Sequence, residues 1–331
     1  MKYSIFALCV VIAFGGLGAQ MPARTSVWQP SEGHAQIPIW PGAAPDPQPV
    51  KGPETVETTG KDALVAGKPW VAVSNVTRPT MTVYSPAGKN TGAAVVVFPG
   101  GGYQVLAIDL EGSEVCDWLT PRGITRLLLK YRVTDVGPYP ESPMALEDAQ
   151  RTMGLVRFHA AEWHLDPHKI GVLGFSAGGH LTAAISTHFE KRLYPPVDDA
   201  DKESCRPDFA VALYPGHLSL AAAESDAKQG TKKFVVPHPA NADKDLWLNP
   251  EVPVTSQTPP TFLLQAEDDH VDSVDDSLSY YIALKKAGVP VEMHLFAHGG
   301  HAFGLRRTKF PITGWPQLVE TWLVTIGMIP E

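Results

Sequence analysis

The stretch Gly174-Phe175-Ser176-Ala177-Gly178 is the most informative part of this sequence. It follows an apolar run, residues 170–173, and precedes a small-residue helical pattern that extends to Thr187. A strand, a sharp turn and a helix in this order form the context in which a G-x-S-x-G pentapeptide exposes its serine above a sheet. The glycines relieve crowding, so that the serine can take a strained backbone angle. The stretch therefore predicts an exposed Ser176 hydroxyl at the carboxyl end of a buried strand.

The N-terminal residues have the composition of a secretory signal peptide. Lys2 precedes an apolar run, residues 5–14, and Leu17-Gly18-Ala19 supplies small residues for cleavage. The apolar run is too short to span a bilayer, which takes ~20 apolar residues. We therefore predict a signal peptide over residues 1–19, cleavage near Ala19, and a secreted or periplasmic protein.

The charge balance of the chain excludes two classes of partner. There are 27 Lys and Arg against 35 Asp and Glu, a net charge of −8, and the loss of Lys2 with the signal peptide leaves 26 against 35, or −9. An acidic protein has no electrostatic reason to bind nucleic acid or anionic membranes, so we expect neither as a partner. About 310 residues remain after cleavage, enough for one large domain.

Two cysteines, Cys116 and Cys205, remain after the predicted cleavage. They are able to pair in an oxidising compartment, but two cysteines do not make a disulfide scaffold. Cys116 lies in an amphipathic helical pattern, which favours a buried free thiol.

The remaining chain divides into a lead-in over residues 20–68 and a domain over residues 69–331. The lead-in is rich in Pro, Gly and Thr and predicts an extended segment on the domain surface. A carbohydrate-binding appendage is the alternative, although the segment is short for a module. Within the domain, residues 189–259 are mostly polar and irregular, and we interpret them as an insertion that shapes the pocket, with a functionless mobile loop as the alternative.

Strand and helix patterns alternate along this domain. The predicted strands cover residues 80–84, 93–98, 124–131, 169–173, 209–214, 261–265 and 291–296. The predicted helices cover residues 111–119, 144–163, 177–187, 273–287 and 316–326. Repeated strand–helix units with continuous Val, Leu and Ile strands predict an α/β fold, with a mostly parallel central sheet covered by helices on both faces.

A serine hydroxyl becomes a nucleophile only beside a base that takes its proton, and histidine suits this role. We expect His301 to be that base, because it lies in a glycine-flexed loop after the strand at 291–296. His298 is nearer the strand end and less free to reach Ser176, while His294 alternates within the strand and has a structural role. A zinc site on His298 and His301 is the alternative, but no third ligand or H-E-x-x-H spacing accompanies them. We expect no metal and no organic cofactor.

An acid on the far side of the histidine fixes its tautomer and stabilises the imidazolium. The strand at 261–265 runs into Glu267-Asp268-Asp269. The carboxylate must reach the far nitrogen of His301, so it should lie just beyond the strand end. We therefore expect Asp269 to be the acid and keep Asp268 as the close alternative.

A glycine run, Pro99-Gly100-Gly101-Gly102-Tyr103, follows the strand at 93–98. Backbone N–H groups in such a loop converge on a developing oxyanion with no side chain in the way. We expect the donors to come from Gly101, Gly102 and the N–H of Ala177. A phosphate-binding loop is the alternative, but the run lacks the Gly-Lys-Ser/Thr ending of a P-loop and the last glycine of G-x-G-x-x-G.

With these motifs, the chain resembles secreted α/β-hydrolase esterases of the acetyl-xylan-esterase-like group, related to the carbohydrate esterases. The likeness covers most of the chain from about residue 37 onward. The matching segments are Trp40-Pro41-Gly42, Phe98-Pro99-Gly100-Gly101-Gly102-Tyr103, Asp109-Leu110-Glu111-Gly112, Leu129-Lys130-Tyr131-Arg132, Gly174-Phe175-Ser176-Ala177-Gly178-Gly179-His180 and Gly299-Gly300-His301-Ala302-Phe303-Gly304.

The resemblance implies the α/β-hydrolase fold, with the chain order serine, acid, histidine. It implies Ser176 as nucleophile, His301 as base, and oxyanion donors in the Gly101-Gly102 region and at Ala177. The chain departs from the related pattern, Asp-x-x-Val-Pro before a serine, at the acid. Counting back from Ser277 selects Asp269, whereas the spacing to Val271 selects Asp268, and no proline follows either.

We therefore expect a secreted serine esterase that removes acyl groups from plant cell-wall carbohydrate or related small esters. Acetyl is the acyl group that we favour. Its partner would be a small-molecule or oligosaccharide ester. Three alternatives stay open: a peptidase of the prolyl-oligopeptidase type, a glycoside hydrolase, and a catalytically silent binding protein. The peptidases carry a large N-terminal propeller, and a glycosidase needs two carboxylates that flank a sugar cleft.

Overall fold

The computed structural model describes residues 27–331, apart from 48, 87, 135–136, 221 and 223–245. The predicted signal peptide, the start of the predicted lead-in and part of the predicted insertion lie outside the described residues. The described strands are β1 (Gln36–Pro38), β2 (Thr55–Thr58), β3 (Val71–Ser74), β4 (Thr80–Tyr84), β5 (Ala94–Phe98), β6 (Val105–Ala107), β7 (Thr125–Lys130), β8 (Ile170–Phe175), β9 (Ala210–Leu213), β10 (Thr261–Ala266) and β11 (Val291–Phe296). The described α-helices are α1 (Glu114–Leu119), α2 (Met144–Phe158), α3 (Ala177–Thr187), α4 (Val274–Lys286) and α5 (Trp315–Thr325).

Within the described residues, eight strands form one sheet in the order β1-β4-β7-β5-β8-β9-β10-β11. The pairings from β7 to β11 are parallel, and β4 pairs antiparallel with both β1 and β7. A second, antiparallel sheet joins β2, β3 and β6. The predicted α/β fold with a mostly parallel central sheet is confirmed.

The five central strands form the core of the sheet. Every residue of β5, β7, β8, β9 and β10 is buried. Parallel strands covered by helices on both faces bury both of their side-chain rows, which is why these segments read as continuous apolar runs. Gly171 in β8 marks one close approach, because a Cβ there would lie 2.3 Å from the Phe209 ring. These strands therefore form a closely packed core. Because they run parallel, their carboxyl ends lie at the same edge of the sheet.

Two predicted helices differ from the observed ones. The predicted helix over 111–119 begins as a π-helical turn, Asp109–Ser113, before α1. The helix predicted to run to residue 163 ends at Phe158, and the chain then passes through turns to His164, which has a positive φ of 55°. The strands β1, β2, β3 and β6 carry no clear sequence signal, because three or four residues are too few to establish a period.

The lead-in, predicted to lie on the surface, enters the core in part. Its strand β1 adds to the edge of the main sheet, and the next two residues, Ile39 and Trp40, are buried. The Trp40 indole N–H donates to Asp148 Oδ1 at 2.8 Å. Asp148 also accepts hydrogen bonds from the backbone N–H and the Nε of Arg132, at 2.9 and 3.0 Å. A buried indole needs such an acceptor, so this contact attaches the lead-in to α2.

Neither a membrane span nor a disulfide occurs in the part of the chain that the structure describes. No described helix has the length and apolar character needed to cross a bilayer. Cys116 and Cys205 are both buried and free, as predicted for Cys116.

Replacing Asp148 by alanine should destabilise the fold strongly. The substitution leaves the buried Arg132 with Glu147 as its remaining carboxylate partner and leaves the Trp40 indole without its acceptor. Removing one partner of a buried ion pair costs about 3–5 kcal/mol of unfolding free energy. Asp199→Ala, which removes an exposed ion pair with Lys202, is the control and should cost about 0.5 kcal/mol or less. Chemical denaturation measures both variants, and equal small losses would show that this contact does not hold the lead-in.

Candidate active site

The serine stands at the sharp turn between β8 and α3. Ser176 has φ 51° and ψ −121°, a conformation that side chains rarely adopt. Crowding around the turn explains both flanking glycines. A Cβ on Gly174 would lie 2.0 Å from the Gly178 carbonyl oxygen, and a Cβ on Gly178 would lie 2.1 Å from the Phe98 carbonyl oxygen. The G-x-S-x-G pattern is therefore required by backbone packing against β5.

The structure brings Ser176, His301 and Asp269 together in a chain of hydrogen bonds. His301 Nε2 lies 2.9 Å from Ser176 Oγ, and His301 Nδ1 lies 2.7 Å from Asp269 Oδ2. The three residues follow β8, β11 and β10, whose carboxyl ends meet at the same edge of the sheet. Only 9% of Ser176 is exposed. The sequence predicted an exposed hydroxyl, but in the structure the hydroxyl faces the imidazole of His301.

Asp269 is held in place by four hydrogen bonds. Its Oδ1 accepts from the backbone N–H groups of Val271 and Asp272, at 2.9 and 3.1 Å. Its Oδ2 accepts from Gln265 Nε2 at 3.1 Å in addition to the bond with His301. A buried carboxylate with this many donors is fixed in orientation.

The alternative acid, Asp268, contacts a different set of groups. Its Oδ1 accepts from the N–H groups of Gly299 and Gly300, both at 2.8 Å, and its Oδ2 lies 3.2 Å from His298 Nδ1. The hydrogen bond from Gly300, with the others, lowers the pKa of Asp268. Asp268 therefore shapes the loop that carries His301. His294, on β11, pairs instead with Glu292.

The surroundings of His301 favour its protonated form. Burial alone would lower the pKa of the imidazole, but the hydrogen bond that the imidazole donates to Asp269 and the nearby Asp272 carboxylate outweigh it, so the pKa is raised. The Tyr214 ring packs against the imidazole edge to face, with the ring centroids 4.8 Å apart. His301 is thus oriented by contacts on several sides and is able to hold a proton taken from Ser176.

The glycine loop passes directly beside the serine. A Cβ on Gly100 would lie 2.9 Å from Ser176 Cβ, so this position requires glycine. Its N–H donates to Glu111 Oε2 at 2.9 Å, which leaves Gly101 and Gly102 as the predicted donors of the loop. Gly101 has φ 131° and Gly102 has φ 61°. The other predicted donor, Ala177, is the first residue of α3.

A family model described as the alpha/beta hydrolase fold matches residues 95–305. The chain belongs to the α/β-hydrolase family. This match includes Ser176, Asp269, His301 and the glycine loop.

Two curated proteins that are similar to this α/β-hydrolase act on xylan or its esters, according to their names. An acetylxylan esterase of Xylanibacter ruminicola is 29% identical over 73% of this chain and 47% of its own length. The endo-1,4-β-xylanase B of Butyrivibrio fibrisolvens is 28% identical over 67% of this chain and 34% of its own length. The chain thus spans less than half the length of either relative.

Among solved structures, the acetyl ester-xyloside bifunctional hydrolase of Caldicellulosiruptor lactoaceticus is 33% identical, with a TM-score of 0.66. The match covers 89% of this chain and 97% of that one. The esterase 2 of Thermogutta terrifontis, at 24% identity and a TM-score of 0.60, shares the fold. The resemblance to acetyl-xylan-esterase-like α/β-hydrolases is confirmed.

Sequence reasoning missed a buried glutamate that links the loops of this hydrolase. Glu111 Oε1 accepts from the Tyr214 hydroxyl at 2.8 Å, while Oε2 accepts from Gly100. The Gly304 N–H, three residues after His301, donates to the same Tyr214 hydroxyl at 3.2 Å. Burial raises the pKa of Glu111. The glycine loop and the histidine loop therefore share one anchor, which the Asp109-Leu110-Glu111-Gly112 motif marks without revealing its partners.

A second carboxylate, which the sequence patterns do not indicate, lies beside Ser176 and His301. Asp272 Oδ2 lies 3.3 Å from Ser176 Oγ and 3.7 Å from His301 Nε2. Burial raises the pKa of Asp272, although the nearby His301 and His217 rings oppose this. The run Asp269-His270-Val271-Asp272 carries the only signal, since a turn returns the fourth residue to the side of the first.

Replacing Asp269 by asparagine should lower the pKa of His301, because the amide carries no charge to stabilise the imidazolium. The imidazole then loses its proton at a lower pH than in the unchanged protein, whose His301 pKa is raised. Imidazole NMR titration measures this. Asp268→Asn is the matched control, because its amide oxygen still accepts from the Gly299 and Gly300 N–H groups and Asp268 faces His298 rather than His301. It should leave the pKa of His301 unchanged. A lowered His301 pKa in the Asp268→Asn protein alone would show that Asp268 is the acid.

Proposed function

We propose that this α/β-hydrolase is a serine esterase that acts on acyl esters of plant cell-wall carbohydrates or on related small esters. Acetyl is the acyl group that we expect it to remove. The observation that carries the proposal is the hydrogen-bonded chain from Asp269 through His301 to Ser176 at the strained turn. A serine in such a chain is activated for attack on a carbonyl carbon. The names of the acetylxylan esterase and of the acetyl ester-xyloside hydrolase support the choice of an acetyl ester.

The reaction proceeds in two acyl-transfer steps. Ser176 Oγ attacks the ester carbonyl while His301 Nε2 takes its proton, and the imidazolium that forms is paired with Asp269. The N–H groups of Gly101, Gly102 and Ala177 stabilise the tetrahedral oxyanion. The intermediate collapses, His301 returns the proton to the leaving alcohol oxygen, and an acyl-enzyme remains on Ser176.

Water then repeats the sequence in the second step. His301 takes a proton from water, the hydroxide oxygen attacks the acyl carbon, and the proton returns to Ser176 Oγ as the carboxylic acid leaves. Every group used by this route is a side chain, a backbone N–H or water. The proposal thus involves neither a metal nor an organic cofactor.

Replacing Ser176 by alanine should abolish ester hydrolysis, with a loss in kcat of at least about 10⁴-fold, because no other group supplies the attacking oxygen. The assay uses p-nitrophenyl acetate and acetylated xylan. Ser186→Ala, in the helix α3 that follows Ser176, is the matched control, since the buried Ser186 hydroxyl has no hydrogen-bond partner among the described residues. It should keep full activity.

A fluorophosphonate probe extends this test to the nucleophile itself. The unchanged protein and Ser186→Ala should both be labelled, and Ser176→Ala should not. Ester hydrolysis that survives in a folded Ser176→Ala protein would remove Ser176 from the mechanism.

Glycoside hydrolysis is a second candidate, favoured by the names of the acetyl ester-xyloside hydrolase and of the xylanase among the relatives. A glycosidase needs a carboxylic acid and a second carboxylate beside the sugar bond, not an activated serine. Cleavage of p-nitrophenyl xyloside by both the unchanged protein and Ser176→Ala would establish this activity. No cleavage by either protein would leave the esterase alone.

We also propose that the protein is exported, on the strength of the signal-peptide pattern over residues 1–19. Expressed from its full sequence in a bacterial host, it should appear outside the cytoplasm with an N-terminus near Gln20. Leu8→Asp, which interrupts the apolar run, should retain the uncleaved chain in the cytoplasm, while Ser4→Asp, outside the run, should not. N-terminal sequencing decides, and an uncleaved N-terminus in the exported protein would contradict the proposed cleavage.

A further inference from the structure

Two acceptors compete for the single proton of the Ser176 hydroxyl. One is His301 Nε2 at 2.9 Å, and the other is Asp272 Oδ2 at 3.3 Å. Attack on an ester requires the proton to point to His301, since the imidazole is the base. In that productive arrangement, Asp272 Oδ2 loses the serine as a donor. Losing a hydrogen bond to a largely buried carboxylate is costly even with the His217 ring nearby, so a new donor to Oδ2 would favour the productive arrangement.

The loop that carries Asp269 also holds Asp272 beside Ser176 and His301. Its N–H donates to Asp269 Oδ1 at 3.1 Å, and its carbonyl oxygen accepts from Gln265 Nε2 at 3.2 Å. Its carboxylate packs against the backbone of the loop after β9, where a Cβ on Gly216 would lie 2.3 Å from Asp272 Oδ1. The carboxylate therefore has no room to turn away from Ser176 on that side.

The position of Asp272 places it beside the leaving group of an ester. His301 Nε2 must approach the leaving oxygen to return the proton, and Asp272 Oδ2 lies 3.7 Å from this same nitrogen. A group on the carbon adjacent to the one that bears the leaving oxygen therefore comes within reach of the carboxylate. The adjacent oxygens of a sugar ring are about one hydrogen-bond length apart, so a neighbouring hydroxyl fits between the substrate ring and Asp272.

We propose that Asp272 is a specificity residue that accepts a hydrogen bond from a free hydroxyl next to the scissile ester on the leaving alcohol, as in a partly acylated sugar. The inference rests on the proposed esterase function and names the alcohol that the site selects. The substrate hydroxyl replaces the serine as the donor to Asp272, which leaves the Ser176 proton to His301. An alkyl ester without that hydroxyl leaves the carboxylate to compete for the serine proton. A leaving group with its own carboxylate is repelled.

A matched pair of esters tests the proposal. One is the monoacetate of a vicinal trans-cyclohexanediol and the other is cyclohexyl acetate, which differs only by the neighbouring hydroxyl. At about pH 8, where an aspartate is ionised, the protein should prefer the hydroxylated ester in kcat/KM by about 10- to 100-fold, the range of a hydrogen bond to a charged group. Asp272→Ala should bring the ratio of the two kcat/KM values close to one.

Two further variants separate this role from a structural one. Asp272→Asn keeps the size and one acceptor oxygen, so it should show an intermediate preference, and it answers the question if the alanine variant does not fold. Glu267→Gln changes an exposed carboxylate in the same loop to an amide and should keep the full preference. A purely structural role of Asp272 would lower kcat/KM for both esters equally and leave their ratio unchanged.

The outcomes are distinct. A ratio near one in the unchanged protein, or a full preference that persists in both Asp272 variants, overturns the role of Asp272 and leaves the esterase function standing. If the unchanged protein hydrolyses neither these esters nor p-nitrophenyl acetate, the proposed function fails and the inference fails with it. A preference that is lost only in the Asp272 variants establishes the proposal.

Discussion

The close packing of backbone at the turn between β8 and α3 is the constraint on which the site depends. Ser176 keeps a positive φ because the strand before it and the helix after it are both fixed against β5. Such a conformation costs on the order of 1–3 kcal/mol and persists only where the surrounding structure imposes it. Here the buried parallel strands supply that structure, so the hydroxyl is presented to His301 without any further rearrangement.

Polar groups buried behind the serine hold the neighbouring loops at the same edge of the sheet. Glu111 joins the glycine loop to Tyr214, and the Tyr214 hydroxyl joins this pair to the loop that carries His301. Asp269 accepts hydrogen bonds from the backbone of its own loop and thereby fixes Asp272. Each loop is thus set by a buried acceptor rather than by apolar contact alone. Removing one acceptor leaves buried N–H donors unpaired, which makes these networks sensitive to single substitutions.

The sequence predicts the parts of this structure that have a local signature. Long apolar runs indicate the buried strands, and the positions of Ser176 and His301 after two of them suffice to expect their contact. The sequence favours Asp269 as the acid but does not exclude Asp268, because both follow β10 and the directions of their side chains depend on the turn that comes next. The roles of Glu111 and Asp272 were not predicted for a related reason. Their partners lie far away in the chain, on Gly100 and Ser176, and no spacing records those contacts. The short edge strand β1 and the burial of Trp40 likewise depend on tertiary contacts.

If this α/β-hydrolase is a serine esterase, the acyl group passes through Ser176. Mass spectrometry of the protein quenched during turnover of an acetyl ester detects that intermediate. The proteolytic peptide containing Ser176 should gain the mass of one acetyl group, and fragmentation should place this group on the serine. Turnover with no acetylated Ser176 at any quench time, or an acetyl group on another residue that forms and decays at the rate of turnover, would rule out Ser176 as the nucleophile.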